Sequence, residues 1–258
     1  MAKLRWSAAD IAQVVSGTLH GKTDWEISGI VMDSRAVRAG DLFLALPGAT
    51  VDGHNFLKAA AEKGATAALV SRLPDEPIDL PLVLVPSTAE MPDLPDRSDV
   101  LVALWKLAEA ARKRAKAKIV AITGSVGKTS AKEALSLALS AYGSVHATAG
   151  NYNNHIGLPL TLALLPADAD FAVLEMGMNH AGEIEPLSRL ARPDVALITT
   201  VDAVHIEYFD GIEGIACAKA EVFAGLGNTG IAVLPADNAQ LDVLRTEAAR
   251  YGVQKLRY

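Results

Sequence analysis

The stretch Ile119-Val-Ala-Ile-Thr-Gly-Ser-Val-Gly-Lys-Thr-Ser130 concentrates the clearest chemistry in the sequence. An apolar run suited to a buried strand enters a turn holding Gly124 and Gly127, and then a segment of helical composition. Glycine at those two places lets backbone amides face a polyphosphate. Lys128 adds a point charge, the helix N-terminus favours the anion, and the Thr129 hydroxyl is a ligand for Mg2+. Thr123, Gly124, Ser125, Val126, Gly127, Lys128, Thr129 and Ser130 are therefore the candidate nucleotide-binding residues. The general pattern wants glycine at position 122, where this chain has Ile122, so the match is to a shorter Thr-Gly-x-x-Gly-Lys-Thr form. Nothing in the loop says whether the phosphoryl group goes to water, a hydroxyl or a carboxylate.

These residues need a parallel sheet to hold them. Lys118 to Thr123, Phe171 to Leu174, Val195 to Thr199 and Ile231 to Leu234 read as buried strands, alternating with helical stretches at 129–142, 182–191, 213–226 and 238–251. Such alternation predicts a mostly parallel sheet covered by helices on both faces. Glu175 follows directly on one of these strands, which puts a carboxylate at the carboxyl edge of the sheet, well placed to hold a metal. Asn151, Asn153 and Asn154, beside Thr148, are an unusually dense set of amide donors and acceptors; a turn capped by asparagine explains one or two of them.

Ahead of this lies a smaller α/β region. Ser7 and Asp10 cap an amphipathic helix ending at Gly17, and strands are expected at 27–32, 41–46, 66–70 and 82–85, with a helix at 55–63. Six prolines between Pro74 and Pro95 mark turns and an extended connection. We divide the chain into an N-terminal domain, 1–95, and a second domain, 96–258, which opens with a helix over 100–116.

Half of the 258 residues are hydrophobic, enough for one large or two ordinary cores, and the net charge is −6. A chain with that charge has no global basic field for nucleic acid or an anionic membrane, so phosphate must be caught locally. Cys217 is the only cysteine, which excludes an internal disulfide and suits a reducing cytosol. No export signal or membrane-spanning apolar run is visible, and the expectation is a cytoplasmic protein without membrane insertion.

Taken in order, the loop at 119–130, Thr148 to Thr161, Leu174-Glu-Met-Gly-Met-Asn-His180, Gly182-Glu-Ile184, His205 and Ala218-Lys-Ala-Glu-Val-Phe223 resemble the Mur ligases. Asp33-Ser-Arg35, Gly40 to Ala45 and Asp52-Gly-His-Asn-Phe56 look like that family's uridine-nucleotide-binding domain. The stretch from Gly150 to Gly157, Glu-Met-Gly at 175–177 and Gly-Ile-Ala at 214–216 are most similar to the member that attaches D-alanyl-D-alanine to UDP-N-acetylmuramoyl-tripeptide.

The resemblance implies ATP and two Mg2+ ions as cofactors, and a reaction in which a carboxylate is phosphorylated before an amine displaces the phosphate. It makes Lys128, Glu175, His205 and Lys219 the catalytic set, and Thr129, Glu175, His205 and Lys219 the metal ligands, with Lys219 carbamylated by CO2. Carbamylation needs a neutral amine, so Lys219 must sit where burial or a neighbouring cation lowers its pKa. Ser34, Arg35, Asp52, His54, Thr148, Asn151, Asn153 and Asn154 become the substrate-binding set, with Asp52 and His54 the weaker members because Asp-Gly-His also makes an ordinary turn. Val126, and Pro235 before Asp237, depart from the family's usual residues, and the latter puts an adenine-side role for Asp237 in doubt. A third domain, bringing the amine and closing over ATP, is expected beyond Tyr258, so that catalysis needs more than these residues. Competing readings are the ligase adding the third peptide residue, a folylpolyglutamate synthetase, and a non-catalytic binding module.

Overall fold

The computed structural model describes residues 6–48, 51–87, 98–204 and 206–258. The chain forms two compact units, Ala2–Lys113 and Arg114–Tyr258.

In the first unit, β1 (Trp6–Ser7) pairs antiparallel with β3 (Glu26–Ile27). Helix α1 (Ala8–Val15) begins with the capping box that Ser7 and Asp10 announce: the Ser7 hydroxyl accepts from the Asp10 amide at 3.1 Å, and the Ser7 amide donates back to the Asp10 carboxylate at 3.2 Å. The helix stops at Ser16, whose φ of +56° is left-handed. The main sheet runs β2 (Thr18–His20), β7 (Leu82–Leu84), β6 (Ala67–Val70), β5 (Asp41–Leu44), β4 (Gly29–Val31), with β4 to β7 parallel and β2 antiparallel on the edge. Helix α2 (Leu57–Glu62) follows a 3-10 turn, Gly53–Phe56. Because β4, β5 and β6 are parallel, Asp33–Arg35, Asp52–His54 and Ser71–Arg72 all belong to segments leaving one edge of the sheet. Helix α3 (Asp99–Arg114) buries nine side chains and falls with this unit, whereas the division at 95/96 gives it to the second domain. Proline density marks turns, not the limit of a core.

The second unit carries a fully parallel six-stranded sheet, in the order β13 (Lys255–Arg257), β12 (Ile231–Val233), β11 (Val195–Ile198), β8 (Lys118–Thr123), β10 (Phe171–Glu175), β9 (Val145–Ala147). Helices α4 (Lys128–Leu139), α5 (Gly157–Ala163), α6 (Ile184–Ala191), α7 (Ile212–Ala220) and α8 (Leu241–Arg250) make the connections. β9 and β10 lie on one side of β8 and β11 to β13 on the other, so the strand order reverses at the carboxyl end of β8, where ligands of open α/β sheets bind. Ala232, Ala196 and Ala121 stand in register across β12, β11 and β8, all fully buried. Among the described residues no helix is long and apolar enough to cross a membrane.

Candidate functional site

β8 ends in Thr123, and the loop after it takes two left-handed glycine conformations, Gly124 at φ +147° and Gly127 at +85°. A side chain at Gly124 would run into the Thr199 hydroxyl, so glycine is required here by space as well as by conformation. The loop is strapped to the segment following β11: Thr199 donates its amide to the Thr123 carbonyl at 2.9 Å and its hydroxyl to the Val126 carbonyl at 2.6 Å. The Ser125 amide donates to the Thr200 carbonyl at 2.9 Å, and its hydroxyl bridges to the backbone of Asp202. Asn238 ties the Thr200–Val201 stretch down in turn, through its side-chain amide. Val126 is exposed, and only its backbone takes part in this strapping.

Lys128 opens α4, and its amine donates to the Gly124 carbonyl at 2.6 Å. Burial lowers its pKa and the Glu175 carboxylate opposes part of that shift. The Thr129 hydroxyl donates to Glu175 at 3.1 Å, and the Asn153 side chain donates to the other Glu175 oxygen at 2.9 Å. Glu175, the last residue of β10, is thus buried between the phosphate loop and the asparagine-rich segment. Thr129 and Glu175 offer a hydroxyl and a carboxylate together, the hard oxygen donors that suit Mg2+. Ser130 is exposed on the first turn of the helix.

A cavity of about 240 Å3 is lined by Gly124, Lys128, Asn153, Asn154, Glu183 and Lys219, among others. Lys219 lies near the end of α7 and is buried; burial first, and the Lys128 charge second, bring its pKa down to about 8. Two residues on, the buried Glu221 accepts from the amides of Gly182, Ile184 and Glu185, which pins the turn after α7 to the start of α6. Burial still raises its pKa against those three bonds. His205 lies outside the described residues.

Only the neutral amine can attack the carbon of CO2, and Lys219 loses its proton as pH rises through about 8 rather than 10.5. Carbamylation of Lys219 is expected to rise with pH with a midpoint near that value. Carbon-13 NMR of the protein in labelled bicarbonate, with Lys219→Ala as the control, would show a carbamate signal that the variant loses. Equal signals from the two proteins would remove this role from Lys219.

The remaining candidates divide. Thr148 is buried, with its hydroxyl accepting from the Glu175 amide at 3.0 Å, so it supports the site from behind. The Asn154 side chain caps the start of α5, accepting from Ile156 and Gly157, and Asn151 is exposed. In the first unit Arg35 forms a two-pronged pair with Asp33, whose carboxyl is pulled down to about 2 chiefly by that hydrogen bonding. The Arg35 side chain is 87% exposed, so water screens this pair and the guanidinium can be drawn to an incoming phosphate. Ser34 between them is half-buried. His54 is held at both ring nitrogens: Nδ1 is 2.7 Å from Asp52, and Nε2 accepts from the Ser71 amide at 3.0 Å. Arg72 holds the other Asp52 oxygen at 2.6 Å, which makes Asp52 and His54 the frame of a turn.

Sequence reasoning overlooked Thr199, Asp202, Asn238 and Lys132, and assigned no role to Glu183 or Glu221. None of them carried a signal in the local sequence; Lys132, the fifth residue of α4, lies beyond the first turn.

The fold and this loop define a doubly wound α/β protein with a phosphate-loop motif at the switch point of its second sheet. The model of the Mur ligase middle domain matches residues 122–258, and that of the Mur ligase family catalytic domain matches residues 26–118. The chain belongs to the Mur ligase family. It is 41% identical to the UDP-N-acetylmuramoyl-tripeptide--D-alanyl-D-alanine ligase of Escherichia coli (strain K12) over 230 residues, 89% of this chain and 48% of that protein. The crystal structure of MurF from Acinetobacter baumannii superposes with a TM-score of 0.83 at 32% identity, covering 100% of this chain and 53% of that one. MurF ligase from Thermotoga maritima, solved in complex with ADP, matches with a TM-score of 0.70 at 33% identity, over 89% of this chain and 49% of that one. The chain spans about half the length of the curated relatives it matches.

Proposed function

We propose that this chain supplies the ATP-binding and sugar-nucleotide-binding parts of a cytoplasmic ligase of peptidoglycan precursor synthesis, which joins D-alanyl-D-alanine to UDP-N-acetylmuramoyl-tripeptide. The observation that carries the reading is the link from Thr129 through Glu175 to Asn153, which brings a phosphate loop and an asparagine-rich segment to one cavity shared with Lys128 and Lys219. The likeness to ligases of that name over most of this chain supports the choice of substrates.

The tripeptide's terminal carboxylate attacks the γ-phosphorus of ATP, the bond to the β-phosphate oxygen breaks, and ADP leaves an acyl phosphate. The D-alanyl-D-alanine amine then adds to the acyl carbon, and the tetrahedral intermediate loses phosphate and the amine's proton to give the amide. In the first step two anions must meet. The loop amides and Lys128 hold the polyphosphate and offset its charge, while the asparagine-rich segment orients the carboxylate donor. Thr129 and Glu175 would hold one Mg2+, and a carbamylated Lys219, with His205, a second. Bound there, Mg2+ supplies positive charge to the phosphoryl oxygens. In the first unit, Ser34 and Arg35 take the uridine diphosphate end of the donor.

Calorimetric titration of this chain with UDP-N-acetylmuramoyl-tripeptide, its dipeptide precursor and UDP tests the assignment. The tripeptide is expected to bind tightest, and Arg35→Ala to weaken all three about tenfold through the lost charged hydrogen bonds. Preference for the dipeptide would move the enzyme one step earlier. Binding of none of them would overturn the donor assignment.

A further inference from the structure

We infer that Lys132 is a positioning residue, which pegs the segment 148–154 to the phosphate-loop helix and thereby sets Glu175 and Asn153. The inference deepens the ligase reading and rests on it for the identity of the ligand that the segment serves.

Lys132 is 1% exposed and is the only residue of α4 that is fully buried. Its amine donates to the Thr148 carbonyl at 2.8 Å and to the Gly150 carbonyl at 3.5 Å, and lies 3.1 Å from the Glu133 carboxylate. The amine thus has two backbone acceptors on one segment, the nearer at 2.8 Å, beside one carboxylate. Burying this cation costs more than burying an apolar side chain of the same length. Filling space does not call for a lysine here. Directional bonds to two carbonyls of one segment do.

That segment feeds the site at two points. The Thr148 hydroxyl accepts from the Glu175 amide at 3.0 Å. Farther along, the Asn153 carbonyl accepts from the Gly177 amide at 2.9 Å, while its side chain donates to Glu175 at 2.9 Å. Glu175 then accepts from Thr129, back on α4 and less than one turn before Lys132. The links form a closed ring: Thr129, the helix, Lys132, Thr148, Glu175 and back. Lys132 is the direct tie from the helix to the segment's backbone, so removing it loosens the segment, which keeps its bonds to Val173 and Glu175, while leaving the loop's own hydrogen bonds to Thr199 and Asp202 in place.

The test is amide hydrogen exchange of Lys132→Met, which keeps the length and loses the donors, beside Lys132→Arg, which keeps charge and donors. In the methionine variant, exchange of residues 148–154 and of Gly177 is expected to quicken about tenfold or more, with Ile119–Ile122 of β8 unchanged and the arginine variant closer to the parent. Affinity for UDP-N-acetylmuramoyl-tripeptide is expected to fall by a similar factor, and that for ADP by less than about twofold. Unchanged protection of 148–154 in Lys132→Met overturns the inference. Faster exchange throughout the sheet overturns it too, because Lys132 would then hold up the whole unit. A parent chain that fails to bind the sugar peptide removes the ligase reading, and the exchange result still decides the role of Lys132.

Discussion

Lys128→Met is expected to weaken ADP and ATP binding by about 100-fold while leaving the thermal unfolding of the protein within a few degrees of the parent. Its amine makes charge-assisted bonds within the loop, 2.6 Å to the Gly124 carbonyl, and burial depresses its pKa, so a cation is held there at some cost. A polyphosphate offsets that cost. Charged hydrogen bonds contribute about 1.5–3 kcal/mol each, and the upper end corresponds to roughly two powers of ten in affinity. The fold is spared because the loop is held by Thr199, Ser125 and Asp202 through bonds that do not involve Lys128. ADP titration calorimetry and a melting curve decide the matter; affinity within threefold of the parent would mean that the backbone amides alone carry the phosphate. The same variant has a second consequence. The Lys128 charge helps to hold the Lys219 pKa at about 8, so its removal raises that pKa, and the carbamate signal is expected to need a higher pH.

Gly225→Ala is expected to lower the stability of the second unit by about 3 kcal/mol, through crowding and not through any loss of contacts. Gly225 closes the 3-10 turn after α7, and a Cβ there would run into the backbone carbonyl of Ser188 on α6, with the serine hydroxyl oxygen 2.7 Å away. Backbone cannot rotate aside as a side chain does, so α6 and the turn would have to separate. The Ser188 hydroxyl donates to the Val222 carbonyl at 2.5 Å and accepts from the Gly225 amide at 2.9 Å, and both bonds would stretch. The Glu221 clamp on the start of α6 belongs to the same turn, so the cavity lining at Glu183 and Lys219 is expected to loosen with it. For a unit of this size the melting temperature is expected to fall by about 10 °C. A fall of less than about 2 °C would show that the turn yields at little cost.

The parts of the site legible in the sequence are those fixed by short-range pattern. The strand, glycine turn and helix of 119–130 announce themselves within a dozen residues, and Glu175 is placed by standing at the end of an apolar run. Lys219 was singled out by resemblance alone, and the burial and the Lys128 charge that lower its pKa appear only in three dimensions. Thr199 and Asp202 were not legible, because they meet the loop across more than 70 residues of chain. Helix α5 was not read in the sequence; it is seven residues long and has Gly157 and Pro159 in its first turn. Proline in a first turn sacrifices no helical hydrogen bond, and the segment is buried throughout. The edge strand β9 is three half-buried residues, too short to show a period, and β13 at the opposite edge is equally brief. His54 entered by resemblance and was weakened from the start by the ordinary-turn reading of Asp-Gly-His; Asp52 and Ser71 hold both its ring nitrogens within that turn.

The alanines at 121, 196 and 232, level with one another across three strands, carry a consequence for how this domain can evolve. A row of methyl groups lets whatever covers that face approach the sheet closely, and each position has only one smaller replacement. Almost every substitution there adds volume to a packed layer, so drift at these sites is one-sided. Apolar positions with larger side chains can trade size among themselves. The strand that leads into the phosphate loop therefore sits in a part of the molecule where neutral change is scarce for reasons of thickness alone, quite apart from what the loop binds.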